Sequence, residues 1–138
     1  MQFTLVDQIL ECSPDRAVAI KNVSASEEYL ADHFPSFPVL PGVFMLEAMI
    51  QAARAVLEER GLHRMMLGEV RALRYGTFVR PGESLKVEVD LVKADDGTYS
   101  FKGIGSRIGV GTDDEPATAV SGRFTMREAR IQPVGSRS

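Results

Sequence analysis

The sequence predicts an α+β fold in which one long, buried helix is covered by an antiparallel sheet. Residues 42–60 form a mostly apolar segment with no helix breaker before Gly61, and a helix that is apolar on nearly all sides belongs in an interior. From residue 65 onward, strand-like segments alternate with turn signals, which is typical of antiparallel strands in meander order. One sheet covers only one side of a helix, so we expect a second copy of the chain to cover the rest.

Length and composition limit the possible classes of protein. At 138 residues the chain can bury a real core, and we expect a single domain over residues 1–130 and a disordered tail over 131–138. The net charge of −3 gives no reason to expect nucleic acid as a partner. One cysteine, no signal-like N-terminal segment and no apolar run of membrane-spanning length predict a soluble, cytoplasmic protein without a membrane partner.

Two strands and a short helix are expected before the long helix. Residues 3–11 are apolar and rich in β-forming residues, and residues 16–23 alternate weakly. The sequence Ser13-Pro14-Asp15 between them is a turn signal. The sequence Ser24-Ala-Ser-Glu27 fits a capping box and predicts a short helix that ends near residue 31.

Four strands are expected after the long helix. Arg80-Pro-Gly-Glu83 is a turn, and Asp95-Asp96-Gly97 is a strong hairpin signal. The acidic residues 113–115 have no regular metal-ligand spacing, so we expect a solvated loop there and no metal site. The predicted strands cover residues 65–75, 85–91, 98–108 and 117–126.

The polar residues of the long helix share one narrow stripe. Glu47, Gln51, Arg54 and Glu58 stand at positions i, i+4, i+7 and i+11. A carboxylate in an otherwise buried helix is costly unless it is paired, protonated or used in chemistry. Glu47 could therefore be the ion-pair partner of Arg54, although Arg54 is two turns away, or it could donate a proton in a reaction.

The segment before and into the helix resembles the active-site signature of a known enzyme family. His33-Phe-Pro-Ser-Phe-Pro-Val-Leu-Pro-Gly-Val-Phe-Met-Leu-Glu47, followed by Gln51, is similar to the signature of the β-hydroxyacyl-[acyl carrier protein] dehydratases. The likeness continues at Phe3-Thr-Leu-Val-Asp7, Lys21-Asn-Val-Ser24 and Pro81-Gly82-Glu83, so it covers most of the chain. It implies a hot-dog fold, in which a curled antiparallel sheet wraps a long central helix.

The resemblance implies dehydration of a (3R)-3-hydroxyacyl thioester on acyl carrier protein to the trans-2-enoyl thioester in fatty acid or lipid synthesis. This reaction needs a base, an acid and donors to the thioester oxygen. A neutral His33 would be the base. Glu47 would be the acid, because apolar surroundings favour a protonated carboxyl. The backbone N–H groups of Gly42 and Val43, at the positive end of the helix, can point at the thioester oxygen, and Gly42 lets the thioester approach closely.

The family also suggests supporting residues and an assembly. By similarity, the Val39 carbonyl would hold the His33 ring and Gln51 would position the acid or a water. His33 of one protomer would face Glu47 of the other in a homodimer, and three dimers could form a hexamer. No cofactor or metal is implied, since the 4′-phosphopantetheine arrives on the carrier-bound substrate. His63, a lone histidine in a loop, is interpreted as structural or solvated.

Two other functions remain open. A hot-dog acyl thioesterase would use Glu47 to activate water, although hydrolysis needs no α-proton base such as His33. A non-catalytic acyl-binding homologue would keep only the fold. Asp32 and Ser36 stand where the family usually has glycine, which leaves chain length and carrier docking undecided. Because carrier proteins are typically acidic, we expect a basic rim, with five candidates: Arg71, Arg74, Arg80, Lys102 and Arg107.

Overall fold

The structure is a computed structural model that describes residues 6–23, 39–109 and 117–129. The elements within these ranges are β1 (Gln8–Cys12), β2 (Arg16–Asn22), α1 (Gly42–Glu59), β3 (Met65–Tyr75), β4 (Ser84–Asp95), β5 (Thr98–Ile108) and β6 (Ala117–Glu128). The six strands and the long helix predicted for these ranges are confirmed. The predicted short helix at 24–31, the acidic loop at 113–115 and the tail at 131–138 lie outside the described residues.

The six strands form one antiparallel sheet in the order β1-β2-β4-β5-β6-β3. Asp96 and Gly97, with φ angles of 54° and 80°, make the tight turn between β4 and β5, so the predicted hairpin is confirmed. The meander expected for all four later strands is wrong for β3, which pairs with β6 and not with β4. Residues 76–83, which connect β3 to β4, do not form a tight hairpin turn; they run past the start of α1, where the Leu40 N–H donates to the Val79 carbonyl at 2.8 Å.

The core lies between one face of α1 and the inner face of the sheet. Leu85, Val87 and Val89 of β4 are fully buried, as their alternation with charged residues predicts. Gly103 on β5 allows the helix to approach the sheet, because a Cβ at this position would lie 2.7 Å from the Met49 sulfur. The fully or almost fully buried helix residues are Met45, Ala48, Met49, Ile50, Ala52, Ala53, Val56 and Leu57.

Part of α1 remains uncovered in one copy of the chain. The Val43 side chain is 65% exposed, and Phe44 and Leu46 are only partly buried. The sheet ends in two edge strands, β1 and β3, which do not pair with each other among the described residues. An open sheet cannot surround a helix, so the expectation of burial on nearly all sides is not met by one protomer.

Candidate active site

One side of α1 faces a pocket of about 640 Å³. The pocket lies between the two edges of the sheet: Val6, just before β1, is on one side, and Met65, the first residue of β3, is on the other. The polar stripe predicted from residue spacing forms one wall, which confirms that its four members share a surface. The lining residues are Val6, Glu47, Gln51, Arg54, Ala55, Glu58, Leu62, His63, Arg64 and Met65.

Glu47 is half-buried in this pocket, with 34% of its side chain exposed, and polar side chains lie beside it, so the apolar surroundings expected for its carboxyl group are not found. Its Oε1 lies 3.5 Å from Nε2 of Gln51 and 3.5 Å from Nη1 of Arg54. The ion pair that sequence spacing left open therefore forms, because the long Arg54 side chain reaches back along the stripe. At this exposure an ion pair contributes only about 0–1 kcal/mol to stability. The pair fixes the place of the carboxylate more than it stabilises the fold.

Each partner of Glu47 is held from an opposite side of the pocket. The Val6 N–H donates to Oε1 of Gln51 at 3.1 Å. Arg54 donates from Nε to the Met65 carbonyl at 3.3 Å. Because these two contacts come from opposite edges of the sheet, the placement of both edges beside α1 sets the positions of both side chains. The supporting role predicted for Gln51 therefore has a structural basis, since Gln51 lies between Glu47 and the segment before β1.

The start of α1 offers unpaired backbone donors near Glu47. The N–H groups of Phe44 and Met45 both donate to the Pro41 carbonyl, at 3.0 and 3.3 Å, and no side chain caps this end. Within the described part of the chain, the N–H groups of Gly42 and Val43 donate to no backbone oxygen. Val43 stands four residues before Glu47 and so lies on the same helix face. This placement is compatible with the predicted role of both N–H groups as donors to a thioester oxygen.

Tyr75, at the end of β3, lies close to the candidate site residue Gly42, a neighbour that the sequence did not reveal. A Cβ built on Gly42 would lie 2.7 Å from Cε1 and 2.8 Å from Cζ of the Tyr75 ring. Glycine at position 42 therefore makes room for this ring, which is 52% exposed. The predicted close approach of a thioester to Gly42 would have to share this space with Tyr75.

The structure places some predicted residues and not others. His33 lies outside the described residues, so its role as base stays a prediction. Val39 is 5% exposed and immediately precedes the helix region; the role of its carbonyl towards His33 also stays a prediction. His63 is exposed, as expected, yet it lines the pocket together with Arg64. No periodicity could have placed these two residues there, because they lie in the irregular turn between α1 and β3.

Comparison with known proteins identifies the family of this chain. The family model described as "ApeI dehydratase" matches residues 10–110, which is most of the chain. The chain belongs to the ApeI-like dehydratase family. Among curated relatives of this ApeI-like protein, the 3-hydroxyacyl-[acyl-carrier-protein] dehydratase FabZ of Geobacillus thermodenitrificans is 42% identical over 107 residues, or 74% of this chain and 73% of the relative. The FabZ of Ruminiclostridium cellulolyticum is 33% identical over 92% of this chain and 89% of the relative.

Solved structures confirm the hot-dog fold of this ApeI-like dehydratase. The dehydratase heterocomplex ApeI:P from Xenorhabdus doucetiae aligns with a TM-score of 0.67 at 25% identity, over 92% of this chain and 84% of that one. A hypothetical thioesterase with coenzyme A from Streptococcus pneumoniae aligns with a TM-score of 0.68 at 14% identity, over 88% of each chain. At that identity the second likeness shows the fold alone.

Proposed function

We propose that this ApeI-like dehydratase converts a 3-hydroxyacyl thioester on acyl carrier protein to the trans-2-enoyl thioester in fatty acid or lipid synthesis. The observation that carries the proposal is the position of Glu47. The acidic residue of the family signature faces a pocket, and Gln51 lies beside it as the signature requires. Relatives at 33–42% identity that carry the FabZ name support the same reaction class.

The proposed chemistry moves two protons. His33 takes the α-proton of the substrate, and the electron pair of that C–H bond forms the α–β double bond. Glu47 gives its proton to the β-hydroxyl, which leaves as water when the C–O bond breaks. The N–H groups of Gly42 and Val43 stabilise the negative charge that develops on the thioester oxygen. Proton exchange with solvent returns His33 to its neutral form and Glu47 to its protonated form.

Thioester hydrolysis is the competing reaction, because a protein described as a hypothetical thioesterase shares the fold. Hydrolysis releases a free thiol, whereas dehydration produces a conjugated enoyl thioester with its own absorbance. Incubation of the protein with a 3-hydroxyacyl thioester, with both products followed in parallel, separates the two reactions. We expect enoyl formation without thiol release; thiol release alone would replace the proposal by a thioesterase, and neither product would favour a binding protein.

The active site is proposed to be completed by a second protomer. The exposed Val43 and the partly buried Phe44 and Leu46 lie on a helix that one sheet leaves uncovered. Pairing of two copies would bury this apolar surface and bring His33 of one chain towards Glu47 of the other. Light scattering on the purified chain is expected to show a mass of at least two chains, or of six in a trimer of dimers. A stable, well-folded monomer would contradict this proposal.

Carrier protein is proposed to dock on a basic row across the outer face of the sheet. Strand register places Lys102 opposite Arg123, and Arg123 opposite Arg71. All three are exposed, although Arg71 also pairs with Glu69 at 2.9 Å. Like charges directly opposite each other destabilise a sheet, so such a row favours a function in binding an acidic partner. Arg123 was not among the candidates from sequence.

The other basic residues predicted to bind the carrier protein have different surroundings. Arg74 is exposed near the end of β3, one residue before Tyr75. Arg107 is less suitable, because it is largely buried and lies 3.8 Å from Glu83. Arg80 is exposed in the turn before β4.

Charge reversal in the basic row tests this docking surface. The pair Lys102→Glu and Arg123→Glu is expected to raise KM about tenfold or more for a carrier-bound substrate, because steering by opposite charge is lost. KM for the same acyl group on a short pantetheine thioester should not change, and added salt should reduce the difference between variant and wild type. Lys93→Glu, an exposed reversal on β4, is the matched control. An unchanged KM in the double variant would exclude the row as a docking surface.

Two remaining expectations belong to this proposal. The enzyme is proposed to need no resident cofactor, since the 4′-phosphopantetheine belongs to the carrier. Among the helices that the described residues form, none is long and apolar enough to cross a bilayer. The cytoplasmic location stays a prediction, as does the absence of a nucleic acid partner.

A further inference from the structure

The closest contacts of Arg54 and Gln51 with the Glu47 carboxyl group are both made at the same oxygen. Oε1 lies 3.5 Å from Nη1 of Arg54 and 3.5 Å from Nε2 of Gln51. Within the described part of the chain, no hydrogen bond reaches Oε2. Both neighbours carry hydrogen, and a guanidinium can only donate. The two oxygens of Glu47 are therefore inequivalent before substrate arrives.

We propose that Arg54 is a positioning residue that, together with Gln51, makes Oε1 the accepting oxygen of Glu47 and leaves Oε2 to carry the catalytic proton. A protonated carboxyl group has one O–H oxygen and one carbonyl oxygen. The hydrogen bond from Gln51 and the positive charge of Arg54 beside Oε1 oppose a proton on that atom, so the proton resides on Oε2. This inference rests on the proposed function and assigns the working atom of the acid.

The same contact acts during the reaction. When Oε2 gives its proton to the β-hydroxyl, the carbon–oxygen bond breaks, water leaves, and Glu47 becomes a carboxylate. The negative charge then spreads over both oxygens, and Oε1 lies beside the Arg54 guanidinium. A positive charge attracts a carboxylate more strongly than a neutral carboxyl group, so the contact strengthens as the proton leaves. An interaction that strengthens during the step lowers its barrier.

Arg54 is itself held in place for this task. Its Nε donates to the Met65 carbonyl at 3.3 Å, which connects the guanidinium to the first residue of β3. Its side chain is 42% exposed to the pocket, so loss of the ion pair should hardly change the stability of the fold. A role in catalysis and a role in folding therefore predict different results.

The test compares three substitutions of Arg54 with a matched control. We expect Arg54→Ala to lower kcat for dehydration about 10- to 100-fold, the size of effect that a 1 Å misplacement of a reacting group produces. The melting temperature and KM should remain close to wild type. Arg54→Lys should regain part of kcat through its charge, and Arg54→Gln should regain less. The control is Arg60→Ala, which removes the ion pair between Asp15 and the residue that follows α1, outside the pocket.

Chemical rescue of kcat distinguishes a role of Arg54 in catalysis from a role in folding. The pocket is open enough for methylguanidine to occupy the space that Arg54→Ala vacates, so its addition should raise kcat of this variant and not that of Arg60→Ala. An active wild type with an unchanged kcat in Arg54→Ala would overturn the inference alone. A fall in kcat that follows a fall in melting temperature would also overturn it. A wild type without dehydration would overturn the proposed function first.

Discussion

Replacing Glu47 with Gln is expected to lower dehydration about 10²–10⁴-fold, the usual contribution of a positioned general acid. Glutamine keeps the size of the side chain and its contacts with Gln51 and Arg54, but it has no carboxyl proton to give to the leaving hydroxyl. Because the Glu47 ion pair is partly exposed, the variant should melt close to the wild-type temperature. Initial rates of enoyl formation and a thermal melt on the same sample measure both effects.

The matched control is Glu59→Gln, which removes an exposed carboxylate at the end of the same helix, outside the pocket. Its rate should equal that of wild type. Wild-type turnover in folded Glu47→Gln would show that Glu47 is not the acid and would leave the pocket without its proposed proton donor.

Replacing His33 with Ala is expected to lower turnover by a similar factor, because the α-proton then has no base. Dehydration is reversible, so hydration of the enoyl thioester should fall in the same proportion. A thioesterase would behave differently, since hydrolysis should survive the loss of His33 far better than the loss of Glu47. Dehydration, hydration and thiol release are therefore measured side by side on wild type and variant.

His63 provides the decisive comparison for this assignment. It is the other histidine of the chain, and it lines the pocket that contains Glu47. If His63→Ala abolished dehydration and His33→Ala did not, the base would be His63 and the likeness to the family signature would be misleading on this point. Unchanged dehydration in both variants would remove a histidine base from the mechanism.

Local patterns predicted most of the fold. The alternation around Val87 and the Asp95-Asp96-Gly97 turn involve neighbouring residues, so they could be interpreted correctly without the rest of the chain. The position of β3 in the sheet could not be predicted from local patterns. Its place at the far edge beside β6 depends on where the connection after Tyr75 passes the helix, and this path is set by tertiary contacts such as that between Leu40 and Val79.

The candidate site could likewise be predicted only in part. The spacing of Glu47, Gln51 and Arg54 predicted a shared stripe, because helix geometry alone determines it. The contact of Arg54 with Glu47 depends on a side-chain conformation anchored by Met65, which no spacing rule contains. The closeness of Tyr75 to Gly42 could not be predicted for another reason. It brings the end of a strand to the start of a helix that is far away in sequence.

The most direct test of the whole account is complementation between two inactive variants. His33→Ala and Glu47→Gln are co-expressed with different tags, and the mixed oligomers are isolated and assayed for enoyl formation. If His33 of one chain works with Glu47 of its partner, each mixed dimer contains one intact site. Isolated mixed dimers should then regain about half of wild-type activity, and an unseparated random mixture, in which half of the dimers are mixed, about a quarter. Mixed dimers that form but remain inactive would contradict a dehydratase site shared between two chains.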